Sequence, residues 1–292
     1  MQAKDIRTAA VLGAGTMGNG IAQVLALTGI TTRLYDVAAG PIERGLATVR
    51  SNLEKGVAKG KVAQADMAEA LKRLSGTTAL AEAIAGVDCV VEAVPEKLEL
   101  KQSIFQQLGN ALGPDVLLAT NTSSLSITRI ASVTKHAERV VGMHFFNPVH
   151  IMKLVEVVQA ERSSEAAVVC AIELSKRMGK DPIRVKDFPG FASSRLGVLV
   201  GLEAMRMVES GVASAADIDK AMTLGYGFPM GPLELTDLVG LDVRMSIAEY
   251  LSKELGSRFE VPPILKEKVQ KGELGKKSGR GFYEWKDGAA VR

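Results

Sequence analysis

Short apolar runs alternate with helically spaced stretches through the first 186 residues, and beyond them the pattern is almost wholly helical. Residues 6–12 form the first apolar run and end in a glycine cluster. Residues 16–28 follow with helical spacing, and Gly29 supplies a C-cap. Residues 31–35 are rich in strand formers and end at Asp36, which completes one βαβ unit. Residues 41–61 and 65–74 read as a helical pair, longer than a minimal crossover needs. Residues 89–94, 117–120 and 139–143 are further buried strands, each set off by a helical stretch, so the sheet should be mostly parallel. Residues 153–158 alternate, which puts Leu154, Glu156 and Val158 on one face. After residues 187–190 the helices expected are 195–209, 216–224, 233–255 and 263–271. The expected class is therefore α/β: a mostly parallel sheet domain over residues 1–186 with a helical insertion after the second strand, then an all-α C-terminal domain over residues 187–292.

Composition narrows the partners. The chain has 292 residues and a net charge of only +3, with Lys and Arg mixed among Asp and Glu, so nothing argues for nucleic acid or a membrane surface. No segment is long and apolar enough to span a bilayer, and no signal-peptide pattern precedes the first strand. Cys89 and Cys170 both lie in apolar surroundings and read as small core residues. A cytoplasmic, reducing setting is the simplest placement. No Cys/His cluster suggests a metal site.

Gly13-Ala-Gly-Thr-Met-Gly18 follows a strand and opens a helix. The first glycine permits a tight turn, the second lets backbone approach a pyrophosphate, and the third lets helix and strand pack. The helix N-terminus, with Thr16 and Met17 in its first turn, then faces the phosphates. Asp36 lies 18 residues past Gly18, at the end of the second strand, placed for the adenine-ribose hydroxyls. The first domain is thus expected to be Rossmann-like. No Arg follows Asp36, which favours NAD over NADP.

Other strand ends carry polar groups. Glu96 follows Pro95 in a loop where the nicotinamide is expected, with Lys101 beyond. Asn121-Thr-Ser-Ser124 offers two serines, one to cap the next helix and one, Ser123, to meet a ligand. His144 ends an apolar run, and Glu156 occupies an apolar face of the following strand. A carboxylate there needs a partner, and a carboxylate-supported imidazole moves protons near neutral pH. Oxidation of a secondary alcohol needs a hydride acceptor and such a base.

The motifs together resemble the L-3-hydroxyacyl-CoA dehydrogenase family, which includes 3-hydroxybutyryl-CoA dehydrogenases. They are the glycine turn, Val91-Glu-Ala-Val-Pro-Glu96, Asn121-Thr-Ser-Ser-Leu125, His144-Phe-Phe-Asn-Pro148, Met152-Lys-Leu-Val-Glu156, Asp187-Phe-Pro-Gly-Phe191, Gly231-Pro232 and Gly275-Lys-Lys-Ser-Gly-Arg-Gly-Phe-Tyr283. The resemblance implies His144 as catalytic base, Glu156 as its partner, and Ser123 in contact with substrate and cofactor. It implies NAD contacts from Asp36, Glu96, Lys101 and Lys277, and CoA contacts from the helical insertion, where Asn52, Lys55 and Lys59 are candidates. It further implies a homodimer formed through the helical domain, in which residues 231–242 are unusually apolar. One position departs: the family commonly has Asn where this chain has Ser194, a residue that helps hold the substrate near the histidine. The expected reaction is NAD-dependent, reversible oxidation of a short-chain (3S)-3-hydroxyacyl-CoA, in β-oxidation or butanoate metabolism. Two other readings stay open: a related dehydrogenase of a free hydroxyacid or sugar acid, and a non-catalytic NAD-binding structural protein.

Overall fold

The computed structural model describes residues 2–291. The chain forms two compact units, Met1–Phe188 and Pro189–Arg292. In the first, β1 (Thr8–Leu12), α1 (Thr16–Leu27) and β2 (Thr31–Tyr35) form the opening βαβ unit. The insertion follows as α2 (Ala39–Ala58) and α3 (Gln64–Lys72). Then come β3 (Leu74–Thr77), α4 (Leu80–Ile84), β4 (Cys89–Glu92), α5 (Leu98–Ala111), β5 (Leu117–Thr120), α6 (Ile127–Ala131), β6 (Val140–Phe145), β7 (Leu154–Gln159), α7 (Glu165–Arg177) and β8 (Asp181–Lys186). The sheet has eight strands in the order β3-β2-β1-β4-β5-β6-β7-β8. Every pair is parallel except β6 with β7. Chain order runs outward from β1 in one direction and then from β4 in the other, so the β1/β4 boundary is the switch point where such sheets bind ligands.

The buried strands are those that are mostly apolar along their length. β1, β4, β5 and β6 bury nearly all their residues, because helices cover both faces of the sheet. Ile21 and Leu25 of α1, with Val168 and Leu174 of α7, fill the core with Val11, Val91, Val141 and Val157 from the strands. The insertion makes its own small cluster, in which Ala26 of α1 meets Val49, Leu53 and Ala70. Cys89 and Cys170 are buried and unpaired, and burial pushes both thiols up, Cys170 to about 11.

Two strands escape a reading by pattern. β3 has one apolar residue in four and is stabilised by its pairing with β2. β8 contains Pro182 and is mostly exposed, as an edge strand can be.

The second unit holds α8 (Ser193–Glu209), α9 (Ala215–Gly225), α10 (Pro232–Val239), α11 (Leu241–Leu255), α12 (Pro263–Gln270) and a hairpin of β9 (Glu284–Lys286) and β10 (Ala289–Val291). Its core joins Val198, Leu202 and Met205 to Leu233, Leu241, Leu251, Phe259 and Leu265. The single helix expected over residues 233–255 is two, broken at Gly240, whose φ of +103° is not helical. The hairpin is an addition to the expected all-α domain. It is held by the fully buried carboxylate of Asp237, which accepts from the backbone N–H of Phe282 and Tyr283 and from Trp285 Nε1, all at 2.9 Å.

Candidate active site

The glycine turn is built for a close ligand. Gly13 has φ +100°, and a Cβ there would lie 2.6 Å from Ala93 O. A Cβ on Gly18 would run into Gly13 O, so the third glycine lets α1 sit directly on the turn. Around Gly15 nothing lies within 4 Å of that added atom, which is the open face a pyrophosphate needs. Gly15 is also the N-cap of α1 and makes no side-chain cap, leaving the first N–H groups, at Thr16 and Met17, aimed outward. Asp36 Oδ2 accepts from Ala14 N at 2.9 Å. The acid therefore braces the turn with one oxygen, and the other has no partner among the described residues. A dinucleotide fits this cradle.

Beside the turn, the ends of β4 and β5 share a buried polar network. Glu92 is fully buried and accepts from Val94 N, Lys101 Nζ and Thr120 Oγ1 at 2.6–2.7 Å. Lys101, expected to touch the cofactor directly, is only 1 % exposed. Its ammonium pairs with Glu92 and lies 3.4 Å from Glu96. Glu96 in turn accepts from Thr122 Oγ1 at 2.5 Å and from Ser123 N at 3.0 Å, with Ser123 Oγ at 3.4 Å. Neither serine of the pair caps α6: Ser126 does, and Asp187 accepts from its hydroxyl and from the N–H of Ile127 and Thr128. Glu92 and Thr122 were not anticipated as site residues. A carboxylate inside an apolar strand was the available signal for Glu92, the same signal that singles out Glu156.

His144 and Glu156 stand directly opposite each other in the β6–β7 ladder. Antiparallel pairing puts their Cβ atoms on the same face, and Nδ1 lies 2.7 Å from Glu156 Oε2. Glu156 is fully buried and His144 is 7 % exposed. The strand end is fixed by Asn121, whose Oδ1 accepts from Phe145 N at 2.8 Å, and the Phe146 ring lies 4.5 Å from the imidazole. A buried carboxylate bonded to Nδ1 sets the ring orientation.

A cleft of about 730 Å³ opens elsewhere in the same unit. One wall carries Asn52, Lys55 and Lys59 of the insertion, and His150, Lys153 and Lys180 complete a strongly basic lining. Lys180 donates to the carbonyls of Val149 and Met152. Burial, and then the neighbouring Lys153, bring it down to about 8. In the second unit, Ser194 sits half-buried in the first turn of α8, and Lys277 forms an ion pair with Asp242.

A phosphate-binding turn on a parallel sheet, with an imidazole–carboxylate pair on that same sheet, defines a dinucleotide-dependent oxidoreductase. The comparisons narrow this. Residues 8–188 match the 3-hydroxyacyl-CoA dehydrogenase NAD binding domain, and residues 190–285 match the C-terminal domain of the same family. A probable 3-hydroxybutyryl-CoA dehydrogenase of Bacillus subtilis is 43% identical over 97% of this chain and 99% of its own. The crystal structure of (S)-3-hydroxybutyryl-CoA dehydrogenase from Ralstonia eutropha is 40% identical, with a TM-score of 0.92 over 97% of this chain and all of its own. The structure of FadB2 from M. tuberculosis, 41% identical, has a TM-score of 0.93 over 96% of this chain and 99% of its own. The chain belongs to the 3-hydroxyacyl-CoA dehydrogenase family, and its cofactor is NAD. Among the described residues no helix is long and apolar enough to cross a membrane.

Proposed function

We propose that this enzyme reversibly oxidises a short-chain (3S)-3-hydroxyacyl-CoA, of the 3-hydroxybutyryl type, with His144 as general base and Glu156 as its partner. The observation that carries this is the buried 2.7 Å hydrogen bond between His144 Nδ1 and Glu156 on the sheet that holds the glycine turn. Nε2 of the neutral imidazole takes the hydroxyl proton, and Glu156 stabilises the imidazolium that forms. NAD, when bound, supplies the hydride acceptor. Ser123, braced by Glu96, holds the substrate oxygen. Lys101 acts from behind Glu96, because its own ammonium is buried. Asp36 takes the adenine ribose. Ser194 and Lys277 keep the substrate-holding and cofactor-binding roles that the family resemblance implies for them. The basic cleft takes the CoA nucleotide, and Asn52, Lys55 and Lys59 are its family-side contacts. Remote binding of that kind can be used to orient the reacting carbon.

The helical unit is the dimer surface of a homodimer, supported by the exposed side chains of Leu235, Leu238, Val239 and Val243 on α10 and α11. The setting is cytoplasmic, supported by two buried thiols with no disulfide. One assay tests the substrate class. Acetoacetyl-CoA should oxidise NADH, while free acetoacetate and NADPH should give little turnover. Equal rates on free acetoacetate would replace the thioester reading with that of a free hydroxyacid dehydrogenase.

A further inference from the structure

In the first unit, the strand-end network commits both oxygens of Glu96. Oε1 accepts from Thr122 Oγ1 at 2.5 Å and from Ser123 N at 3.0 Å. Oε2 lies 3.4 Å from Lys101 Nζ, and that ammonium is anchored on the fully buried Glu92. A carboxylate oxygen offers about two lone-pair sites. Two close donors fill those of Oε1. The Ser123 hydroxyl is left 3.4 Å away, beyond the usual reach of an O–H···O bond, and has no closer partner among the described residues. Thr122 is fully buried, and its oxygen accepts from Leu125 N at 3.0 Å, so its one proton goes to Glu96. Thr122 thus occupies the acceptor that the adjacent serine would otherwise take.

We propose that Thr122 is a positioning residue for the reaction: by filling Glu96 Oε1 it keeps the Ser123 hydroxyl from donating to that carboxylate and leaves its proton for the substrate oxygen. This rests on the assignment of Ser123 to the substrate oxygen. A serine hydroxyl has one proton to donate. Given to Glu96, it is lost to the substrate, and a ketone or a developing alkoxide has no proton to offer in return. The carboxylate is the stronger competitor, because a charge-assisted hydrogen bond is about twice as strong as a neutral one. Without the Thr122 hydroxyl, Ser123 turns to Glu96. Lys101 holds Oε2 on the other side, so rotation of the carboxylate offers the serine no second acceptor.

The test measures kcat/KM for acetoacetyl-CoA at saturating NADH in the full-length enzyme. The variants are Thr122→Val, Thr122→Ser, Ser123→Ala and Glu96→Ala, with Thr122→Val also combined with each of the last two. Thr122→Val should lower kcat/KM about 10-fold, the worth of one hydrogen bond. Thr122→Ser keeps the hydroxyl and should restore most of that loss. The Val loss should vanish in the Ser123→Ala background, where no hydroxyl remains to be captured. It should also vanish in the Glu96→Ala background, where no carboxylate remains to capture it. A merely structural role would not give this second result: Thr122 also holds Leu125 N, and the effect of losing that contact would persist without Glu96. Thr122→Ala takes the place of the Val variant in the same cycles if Thr122→Val fails to fold. A Thr122→Val enzyme with wild-type kcat/KM, or a loss undiminished in the Glu96→Ala background, would overturn the proposal while leaving Ser123 on the substrate oxygen. Wild-type kcat/KM in Ser123→Ala would overturn both.

Discussion

Glu156→Gln isolates the charge of the buried carboxylate from its shape. The amide oxygen can still accept from Nδ1, so the ring keeps its orientation and only the anion is lost. The imidazolium formed on proton abstraction would then face a neutral group. Nδ1 and Oε2 are 2.7 Å apart in a fully buried setting. With charge centres about 4 Å apart and an effective dielectric of about 20, their attraction is about 4 kcal/mol. A retained neutral hydrogen bond recovers part of that. The expected loss in kcat is therefore about 10²- to 10³-fold, at roughly 1.4 kcal/mol per decade. The assay is steady-state reduction of acetoacetyl-CoA, with NADH affinity measured separately by fluorescence and expected to stay the same. The deciding variant is the double substitution with His144→Gln. If the carboxylate acts only through the ring, removing it after the ring is gone should cost nothing more. Losses that multiply, or a Glu156→Gln enzyme with near-wild-type kcat, would refute the pairing as a catalytic unit.

Two further outcomes follow from buried charges elsewhere. Lys101→Met leaves Glu92 buried without its cation and should destabilise the enzyme by about 3–5 kcal/mol; a thermal-melt change near zero would remove Lys101 from the strand-end network. Lys180 loses its charge as pH rises through about 8, so the KM for acetoacetyl-CoA should rise about 2- to 5-fold between pH 7 and 9. The KM for acetoacetyl-pantetheine, which lacks the nucleotide phosphates, should not share that rise, and parallel curves would take Lys180 out of the CoA cleft.

The sheet's central strands were readable because each is a short, mostly apolar run set off by a helical stretch. The glycine turn was readable because close approach admits no side chain at Gly13 or Gly18. β3 was not, since Leu74–Thr77 has no period and exists only through its neighbour β2. The break at Gly240 was hidden because apolar residues on both sides keep a helical spacing, and only the positive φ of one glycine separates them. For the site, His144 and Glu156 declared themselves through polarity inside apolar strands. Thr122 did not, because its role depends on Glu96 reaching across from another loop, 26 residues away in sequence. The ion pair of Lys101 was not legible for a related reason: nothing local says that Glu92 lies beneath the first turn of its helix.

The one antiparallel pair in the sheet is what makes the acid–base pair possible. In a parallel ladder the bonds are slanted and adjoining strands need a crossover. Here residues 146–153 return the chain directly, and positions 12 apart in sequence become direct neighbours. Both faces of β6 are buried, as is nearly all of β7, so hydrophobicity alone specifies their register weakly. A slip of one residue would turn Glu156 to the other face and bury its charge among valines. The cost of an unpaired carboxylate at that depth excludes the slipped register. The same hydrogen bond that orients the imidazole thus also fixes how the two strands align, and catalytic geometry and sheet register are set by one interaction.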